Sequence, residues 1–491
     1  MLPFASLLLV DRRLATPVYQ QLAAGIVRQI QSGRLPPGTR MPSTRRLSQE
    51  LGLHRQTLVM AYAELQAQGW LESIPRRGYF VATHLPVVTP HALAAIVPAH
   101  VYPAHTGFAF TAEIPLPQSP AQAHQFPLAF DDGFPDVRLA PVGLLARAYR
   151  SVARRASSRR HLYYGPGQGT EHLRKVLAEE LRATRGLRIT ADNILITRGS
   201  QMGICLTAQL LLRPGDAVVV GQTSYYVADA AFRATGAQLL RVPVDAHGLD
   251  VNAVQTLCQQ QPIRLLYVTP HHHHPTTVTL RADRRLQLLQ LAATHRFAVL
   301  EDDYDYDFHY ASSPILPLAS ADAAGSVVYV GSLSKSLAPS IRVGYLVAPP
   351  GFVQAATRLR RLVDIQGDSI LEEAIAELYR NGDIRRYLRK AVRAYEARRD
   401  LLCELLHSQL GGRVSFQKPN GGLAVWVRFA PPLSLPAVAA RARQLGLYVN
   451  DGSFYDAGRA PQNALRLGFA SLNETELREA VRVLAQAVAE A

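Results

Sequence analysis

The feature that most limits the fold is a series of short apolar runs that recurs along residues 193–330. Each run has four or five residues, and segments with helical periodicity separate most of them. Buried strands have this composition, and helices connect them when they are parallel. The pattern predicts an α/β fold around a mainly parallel sheet. The predicted strands are Asn193–Thr197, Ala217–Val220, Gln238–Val242, Leu265–Val268, Phe297–Leu300 and Val327–Val330.

Ligands of such folds bind at the carboxyl ends of the strands, so the residues after each run are candidate site residues. Ser200 and Gln201 open a helix, whose N-terminus can hold a phosphate. Tyr225 can lie over a flat ring. Asp302 can pair with a protonated pyridine nitrogen, and Tyr304 can reach a ring hydroxyl. Taken singly, these residues also fit a helix cap, a core tyrosine, and an acidic loop that binds metal or faces water.

Lysine is rare in this chain, which has four lysines and 49 arginines. Lys335 lies in a hydroxyl-rich loop after the last run, with Ser332 before it and Arg342 seven residues after it. A deprotonated lysine can form a Schiff base, whereas a solvated loop lysine is the plain alternative. The residues after the strands together supply a phosphate cradle, a ring stack, a nitrogen partner, an amine and a phosphate-pairing arginine. Pyridoxal 5'-phosphate (PLP) needs this set of groups.

The first 83 residues have a different pattern, with ten arginines and four acidic residues. Apolar side chains recur every four positions from Val18 to Ile30 and predict a helix that ends at Gly33. Ser43 can cap a second helix, which ends at Gly52, and a third helix follows a three-residue turn. Two short helices joined by a glycine-containing turn predict a helix-turn-helix.

Two further runs, residues 70–73 and 78–81, flank the basic segment Ile74–Arg77 and predict a hairpin wing. In such a module the third helix enters the major groove of DNA and the wing reaches the phosphates or the minor groove. A three-helix bundle with a solvated charged face is the alternative. The side chains predicted to contact DNA are Arg45, Arg55, Gln56, Thr57, Arg76 and Arg77.

Composition defines the remaining organisation. Residues 84–126 contain seven prolines among Ala, His and Gln, which predicts a semi-extended linker. The predicted domains are therefore 1–83 for DNA binding, 84–126 as linker, and 127–491 for the α/β unit. The net charge of +15 indicates an anionic partner.

Several features predict a cytoplasmic protein. No apolar run reaches the length of a membrane span, and the N-terminal apolar patch has no basic segment before it, as a signal peptide would. The three cysteines lie far apart in apolar surroundings, so we expect buried thiols and neither disulfides nor zinc ligands.

Two resemblances cover about nine tenths of the chain. The sequence from Pro17 to Val81, PVYQQLAAGIVRQIQSGRLPPGTRMPSTRRLSQELGLHRQTLVMAYAELQAQGWLESIPRRGYFV, resembles the winged helix of GntR-type bacterial regulators. The part from Pro127 onward resembles fold-type I aminotransferases. The whole chain thus resembles the MocR family of PLP-dependent transcription regulators. His54 departs from that family, which usually has a serine or similar helix cap there.

The resemblance implies a role for each site residue and a domain-swapped homodimer. Lys335 is the lysine of the internal aldimine, Arg466 binds a substrate carboxylate, and Tyr164 is contributed across the dimer. The other implied cofactor contacts are Asp302 at the pyridine nitrogen, Tyr304 at the ring hydroxyl, Tyr225 on the ring, and Arg342, Ser200 and Gln201 at the phosphate. Ser332 belongs to the same predicted site.

The sequence departs from the aminotransferase pattern at the run His271–His274. His274 occupies the position of an asparagine near the ring hydroxyl. Four histidines also admit a metal site, but the run follows a strand of the cofactor site, and we predict no metal. Val227 stands where members that sense γ-aminobutyrate have an arginine, so that effector is not expected.

Two functions from different classes follow. The first is a PLP-dependent transcription regulator that senses an amino compound, or PLP itself, through the aldimine at Lys335. An amino compound would displace Lys335, and the difference between the two bound states would bias the placement of the winged helices. The alternative is an active aminotransferase that carries a DNA-binding domain, since no group of the first half-reaction is missing. A DNA-binding protein with a cofactor-free second domain comes third. The winged helix, its wing and the linker favour the regulator.

Overall fold

The computed structural model describes residues 4–8, 10–12, 14, 16–86, 105–109, 125–310, 315–455 and 462–491. The chain divides into two compact units, Met1–Glu113 and Ile114–Ala491. Most of the predicted linker, residues 84–126, lies outside the described residues, so that part of the prediction stays open.

The first unit is a helix-turn-helix followed by a hairpin, as predicted. One face of each long helix is apolar, and Leu22, Ile26, Leu47 and Leu58 are buried against one another in a common core. The elements are α1 Phe4–Leu7, α2 Val18–Gln31, α3 Thr44–Leu51, α4 Arg55–Ala67, β1 Leu71–Ile74 and β2 Gly78–Val81.

Caps at the ends of α3 and α4 fix the helix-turn-helix. The Ser43 hydroxyl accepts a hydrogen bond from the backbone N–H of Arg46 at 3.2 Å, and Gly52 ends α3 with a φ of 61°. His54 precedes α4, and its Nδ1 accepts a hydrogen bond from the Gln56 N–H at 3.3 Å. The imidazole therefore replaces the usual serine as the cap, and the accepting nitrogen carries no proton.

The wing differs from the prediction by one residue. The first strand is Leu71–Ile74, because the Trp70 N–H donates to the Leu65 carbonyl at 2.8 Å, a hydrogen bond that closes the turn after α4. Leu71 pairs with Val81 in the antiparallel ladder.

The second unit is built on a large sheet. The strands of the unit are β3 Leu128–Ala129, β4 Ile194–Thr197, β5 Ala217–Gly221, β6 Gln238–Val242, β7 Val244–Asp245, β8 Gly248–Leu249, β9 Leu265–Val268, β10 Ala298–Asp303, β11 Val327–Ser332, β12 Gly344–Val347, β13 Val414–Phe416, β14 Ala424–Phe429, β15 Leu447–Tyr448 and β16 Ala464–Gly468. Seven of them form the large sheet in the order β4-β12-β11-β10-β9-β5-β6, in which β12 runs antiparallel to the other six. The predicted mainly parallel sheet is confirmed.

Helices cover both faces of this sheet. The helices of this unit are α5 Val142–Arg154, α6 Glu171–Arg185, α7 Ser200–Leu211, α8 Tyr226–Arg233, α9 Val251–Gln260, α10 Ala282–His295, α11 Leu318–Ala321, α12 Pro350–Val363, α13 Ser369–Arg380, α14 Asp383–Leu410, α15 Leu435–Gln444 and α16 Glu474–Glu490. Along β5, Val219 packs into one core with α6, α10 and α13, while Val218 and Val220 pack into another with α7, α8 and α12.

A smaller C-terminal layer has its own core. The antiparallel strands β13, β14 and β16 pack against α14, α15 and α16. Arg466 lies on β16 of this layer, where it pairs with Trp426 of β14.

Two strands run further than the apolar runs that predicted them. Asp302 pairs with Val330 and Asp303 with Gly331, so the parallel ladder continues past the apolar residues of β10. Ser332 pairs with Gly344 and ends β11. The expectation that these acids and Ser332 follow their strands is therefore wrong, because hydrogen bonding along the ladder, rather than side-chain polarity, sets the strand end.

Across the described ranges, no helix combines the length and the hydropathy that a membrane crossing requires.

The His54 cap gives a prediction for the first unit. His54→Ala should lower its free energy of unfolding by about 1 kcal/mol, because α4 loses its capping acceptor, whereas His54→Ser should keep most of it. The chain has two tryptophans, of which Trp70 is buried in the first unit. In a Trp426→Phe background, Trp70 fluorescence during urea unfolding therefore reports on this unit. Equal stability of the alanine and serine variants would show that the cap contributes nothing.

Candidate functional site

A cavity of about 280 Å³ lies at the carboxyl ends of the sheet strands. The structure brings nine predicted residues to it, and Tyr164 and Arg466 are not among its lining residues. The nine are Ser200, Gln201, Tyr225, His274, Asp302, Tyr304, Ser332, Lys335 and Arg342. The lining residues that sequence reasoning missed are Asp132, Phe134, Tyr226, Tyr267, Thr269, Ser334 and Pro339.

One end of the cavity suits a phosphate. The N-terminus of α7 opens there with Ser200 and Gln201. Arg342 donates to the Arg198 carbonyl at 2.8 Å, which holds its guanidinium beside this helix end. Gly199 has a φ of 76°, which favours glycine, and a Cβ there would lie 2.6 Å from Nη2 of Arg342 and would push this guanidinium aside. Free backbone N–H groups and a guanidinium together favour an anion.

Asp302 is a buried carboxylate with one oxygen unused. The Tyr267 hydroxyl donates to its Oδ2 at 2.8 Å, while Oδ1 is buried without a hydrogen-bond partner. Burial raises the pKa of Asp302 to about 7, with help from Asp303 and Asp305, although the Tyr267 hydrogen bond opposes the shift. A protonated ring nitrogen would satisfy Oδ1 and neutralise the charge, so this carboxylate fits the pyridine of PLP.

The Lys335 amine is held by the segment that precedes α5. Its Nζ donates to the Gly133 carbonyl at 2.7 Å and lies 4.6 Å from the centre of the Phe134 ring. Burial lowers the pKa of Lys335, and the nearby Asp131 and Asp132 oppose this shift. A lowered pKa favours the neutral amine, which is the nucleophilic form.

Two tyrosines of the cavity wall, Tyr225 and Tyr304, are held by neighbouring residues. The Tyr225 ring meets the His274 ring edge-on, with 5.2 Å between centroids. The Tyr304 hydroxyl donates to the His272 carbonyl at 2.9 Å and accepts from Nη2 of Arg466 at 3.2 Å. Both rings therefore have fixed positions in the cavity wall.

The four consecutive histidines are buried, and each has a different polar neighbour. The nearest pairs are His271 Nε2 and the Ile315 carbonyl at 2.5 Å, His272 Nδ1 and Asp305 Oδ1 at 2.8 Å, His273 Nδ1 and Thr276 Oγ1 at 2.9 Å, and His274 Nε2 and Asp132 Oδ2 at 2.8 Å. His271 Nδ1 also lies 3.4 Å from Asp303 Oδ1. Within the part of the chain that the structure describes, no group of three or more His, Cys, Asp or Glu side chains is arranged to hold a metal ion. The run supplies internal polar contacts to several parts of the fold.

Asp132 is the most informative residue that the sequence did not reveal. Its Oδ1 lies 3.3 Å from Nε of Arg466 and accepts a hydrogen bond from the Tyr455 hydroxyl at 3.1 Å. Burial would raise the pKa of Asp132, but His274, Arg466 and Lys335 outweigh it and lower the pKa to about 2. Asp132 lines the cavity, whereas Arg466 is 1% exposed and does not.

Tyr164 lies on the surface of its own chain. Its side chain is 84% exposed, and the neighbouring Leu162 and Tyr163 are 72% and 76% exposed. A single copy of the chain therefore does not bring Tyr164 to the cavity, and its role across a dimer stays a prediction.

The predicted DNA contacts lie on the helix-turn-helix and the wing. Thr57 is half-buried, and the other five side chains, those of Arg45, Arg55, Gln56, Arg76 and Arg77, are exposed. Arg76 has a φ of 61° at the wing tip, and the Arg77 guanidinium lies 5.6 Å from the centre of the Phe80 ring. The basic side chains are thus available to an anionic partner.

Comparison with known proteins matches both units. Residues 139–484 match the family of aminotransferases class I and II, and residues 18–81 match the bacterial regulatory proteins of the gntR family. The HTH-type transcriptional regulator TauR of Rhodobacter capsulatus is 31% identical, over 96% of this chain and 95% of that protein. The "Probable rhizopine catabolism regulatory protein MocR" of Rhizobium meliloti is 28% identical, over 98% and 96%.

A solved structure shows the same fold in an enzyme. Kynurenine aminotransferase of Pyrococcus horikoshii, crystallised in complex with PMP, superposes with a TM-score of 0.69 at 28% identity. The match covers 74% of this chain and 91% of that one. The predicted fold class, a winged helix joined to a fold-type I aminotransferase domain, is confirmed.

The unpaired oxygen of Asp302 gives a prediction for the cofactor-free protein. The pKa of Asp302 is higher in the folded than in the unfolded protein. Ionisation of this carboxyl therefore lowers the free energy of unfolding progressively as the pH rises from about 4 to about 7, and the full loss of stability remains at any pH above about 7. Asp302→Asn should therefore stabilise the second unit by about 2–4 kcal/mol at about pH 8, and by less than half of that at about pH 5.

Urea unfolding of wild type and variant at the two pH values measures this difference, with Trp426 as the reporter in a Trp70→Phe background. Asp192→Asn removes an exposed carboxylate and serves as the control, for which we expect a small effect that does not change with pH. A stability gain from Asp302→Asn that is the same at both pH values would contradict the assignment.

Proposed function

This chain belongs to the MocR family, which joins a GntR-type winged helix to an aminotransferase class I and II domain, and on that premise we propose that it is a transcription regulator whose second unit binds PLP and senses an amino compound or PLP itself. The observation that carries the proposal is one cavity lined by a half-buried lysine, by a carboxylate with one unpartnered oxygen, and by a helix N-terminus with an arginine beside it.

PLP, when bound, supplies an aldehyde that bonds to an amine and a pyridine ring that withdraws electrons from the bonded group. The residues present fit this molecule at each end. Arg342 and the N-terminus of α7 would hold the phosphate, together with Ser200, Gln201 and Ser332. Tyr225 would cover the ring, Asp302 would pair with its nitrogen, and Tyr304 and His274 would lie at its hydroxyl side.

Lys335 is the residue that connects the cofactor to the signal. Its lowered pKa keeps a fraction of the amine neutral, so it can hold the aldehyde covalently. With PLP in place, an effector amine would compete with Lys335 for the aldehyde, and the displaced Lys335 amine would be free to donate to the Gly133 carbonyl. A difference in free energy between these two states of the cavity is what a regulator could transmit.

The first unit supplies the DNA-binding surface, and GntR-type regulators bind DNA. We propose that the start of α4, with Arg55, Gln56 and Thr57, contacts base edges in the major groove. Arg45 and the wing residues Arg76 and Arg77 would contact the backbone.

We further propose that the regulator is a homodimer. The exposed side chains of Leu162, Tyr163 and Tyr164 form an apolar surface that a second copy would cover. Tyr164 would then reach the cavity of the partner subunit. Sedimentation equilibrium of the purified protein measures the stoichiometry directly.

An active aminotransferase is the second candidate. It is favoured by the completeness of the cavity, whose lining includes the half-buried Lys335 and the buried Asp302. Turnover distinguishes the two functions, because a transaminase releases a keto acid in each cycle whereas a sensor does not.

The Lys335 assignment gives the central prediction. With added PLP, wild type should show a visible absorbance band, and borohydride reduction should fix the cofactor on a single peptide containing Lys335. Lys335→Ala should lose both signals, while Lys390→Ala, which removes an exposed lysine, should keep them. Because the chain has four lysines, the modified peptide is assigned without ambiguity.

The same samples separate the two functions. For a regulator, an effector amine should change the band and the DNA affinity without accumulation of keto acid. Keto acid produced over many turnovers would make the protein an enzyme, and a wild type without any band would overturn the cofactor assignment.

The wing gives a prediction for DNA binding. Arg76→Ala and Arg77→Ala should each weaken binding to a mixed-sequence duplex and reduce the slope of log affinity against log salt by about 1, the value for one lost phosphate contact. Fluorescence anisotropy over a salt series measures both quantities. Arg28→Ala, on the exposed face of α2, is the matched control and should change the slope little. Unchanged slopes in both wing variants would exclude the wing from the interface.

A further inference from the structure

Asp132 and Arg466 form a pair of opposite charges at the cavity, of which Asp132 lines it. Arg466 is the predicted ligand of an effector carboxylate, but in this structure a carboxylate of the chain itself already lies beside it. Asp132 Oδ1 is 3.3 Å from Nε of Arg466, and the Asp132 carbonyl accepts from the same nitrogen at 3.3 Å.

The remaining Arg466 nitrogens also have partners in the chain. Nη1 donates to the Pro275 carbonyl at 3.1 Å, and Nη2 donates to the Tyr304 hydroxyl at 3.2 Å. Since Arg466 is 1% exposed and each of its three nitrogens already has a partner, an incoming carboxylate would compete with Asp132 and Tyr304 for this guanidinium. It would also approach the negative charge of Asp132, and like charges at close range repel strongly.

Asp132 is fixed in place by its own loop. The carboxylate of Asp131 accepts hydrogen bonds from the N–H groups of Gly133 and Phe134 at 2.8 and 2.9 Å, which closes a tight turn around Asp132. Gly133 has a φ of 84° in this turn. His274 and Tyr455 then hold the two oxygens of the Asp132 side chain. Moving Asp132 aside would break these contacts together.

The Asp132 carboxylate retains capacity for one more donor. Its Oδ1 lies near Arg466 and Tyr455, whereas Oδ2 contacts His274, and a carboxylate oxygen can accept two hydrogen bonds. The side chain is 25% exposed and lines the cavity. The group that suits this oxygen is an ammonium or another hydrogen-bond donor, and a second carboxylate does not.

We propose that Asp132 occupies the place of a ligand carboxylate on Arg466, so that the effector is an amine without a carboxylate beside its amino group, preferably with a second ammonium group that pairs with Asp132. Arg466 is then a positioning residue for Asp132. This inference rests on the proposed cofactor function and specifies the effector class.

Four compounds test the two parts of the proposal. Putrescine and ornithine differ by one carboxylate, as do butylamine and norvaline, while putrescine and butylamine differ by the second ammonium. Each is titrated into the PLP-loaded wild type, with the visible absorbance change giving the dissociation constant and the DNA affinity as an independent readout. We expect putrescine to bind at least about tenfold more tightly than ornithine, and more tightly than butylamine.

Asp132→Asn keeps the size of the side chain and removes its charge. In this variant the preference for putrescine over ornithine should fall by about tenfold or more, through weaker putrescine and stronger ornithine binding. Asp451→Asn, which changes a carboxylate outside the cavity lining, should leave the ranking as in wild type. The wild-type ranking needs no substitution, so the proposal stays testable if Asp132→Asn folds poorly.

The outcomes separate this inference from the one it rests on. A wild type that shows the cofactor band but ranks ornithine above putrescine, or responds to neither, overturns the assignment of Asp132 and leaves the cofactor site standing. An unchanged ranking in Asp132→Asn also overturns it. A wild type with no cofactor band overturns the cofactor site and this inference together.

Discussion

Asp302 is a residue of the central sheet, where its backbone pairs with that of Val330, and it carries a buried carboxylate. A charged group at the end of a buried strand costs stability unless it is paired. The Tyr267 hydroxyl satisfies one oxygen and leaves the other without a partner. A cationic ring nitrogen placed at that oxygen would satisfy it, and the cavity lining also includes the start of α7, Arg342 and Lys335.

The other acids of the same segment show why Asp302 is distinctive. Glu301 accepts from the N–H groups of Leu318 and Ala319, although burial still raises its pKa to about 8. Asp303 accepts from the Tyr329 hydroxyl at 2.5 Å and faces His271, and Asp305 faces His272. Burial would raise the pKa of Asp303, but His271 outweighs it. Both oxygens of Glu301 thus have donors inside the fold. Asp303 and Asp305 each have one buried oxygen without a hydrogen-bond partner, as Asp302 has, but of these three residues only Asp302 lines the cavity.

Much of this arrangement follows from the order of residues along the chain. Strand ends meet at one edge of a parallel sheet, so the residues after each apolar run, from Ser200 to Arg342, were predicted to converge, and the structure brings nine of the predicted residues together. Tyr267 was missed because it lies inside an apolar strand and resembles a core tyrosine. Asp132 was missed because it comes from a segment before α5, whose position no local pattern encodes. The partners of the four histidines were not predictable either, since they lie up to 142 residues away in sequence.

The segment that sequence reasoning missed is also the one that joins the cavity to the C-terminal layer. The Lys335 amine donates a hydrogen bond to the Gly133 carbonyl. Three residues after Gly133, the Asp136 N–H donates to the Tyr395 hydroxyl on α14. Arg398, also on α14, bonds to the Asp136 carboxylate at 3.0 Å, and Arg138 bonds to Glu476 on α16 at 2.7 Å. Lys335 would give up the Gly133 carbonyl on bonding to the PLP aldehyde, and a ligand amine that displaces it would free Nζ to donate to Gly133 again, while the contacts of Asp136 remain. The loop is therefore bound to both layers in one state and to the C-terminal layer in the other. Since a ligand shifts an equilibrium only by its differential contacts with the two states, the Lys335–Gly133 hydrogen bond is where the structure offers such a difference.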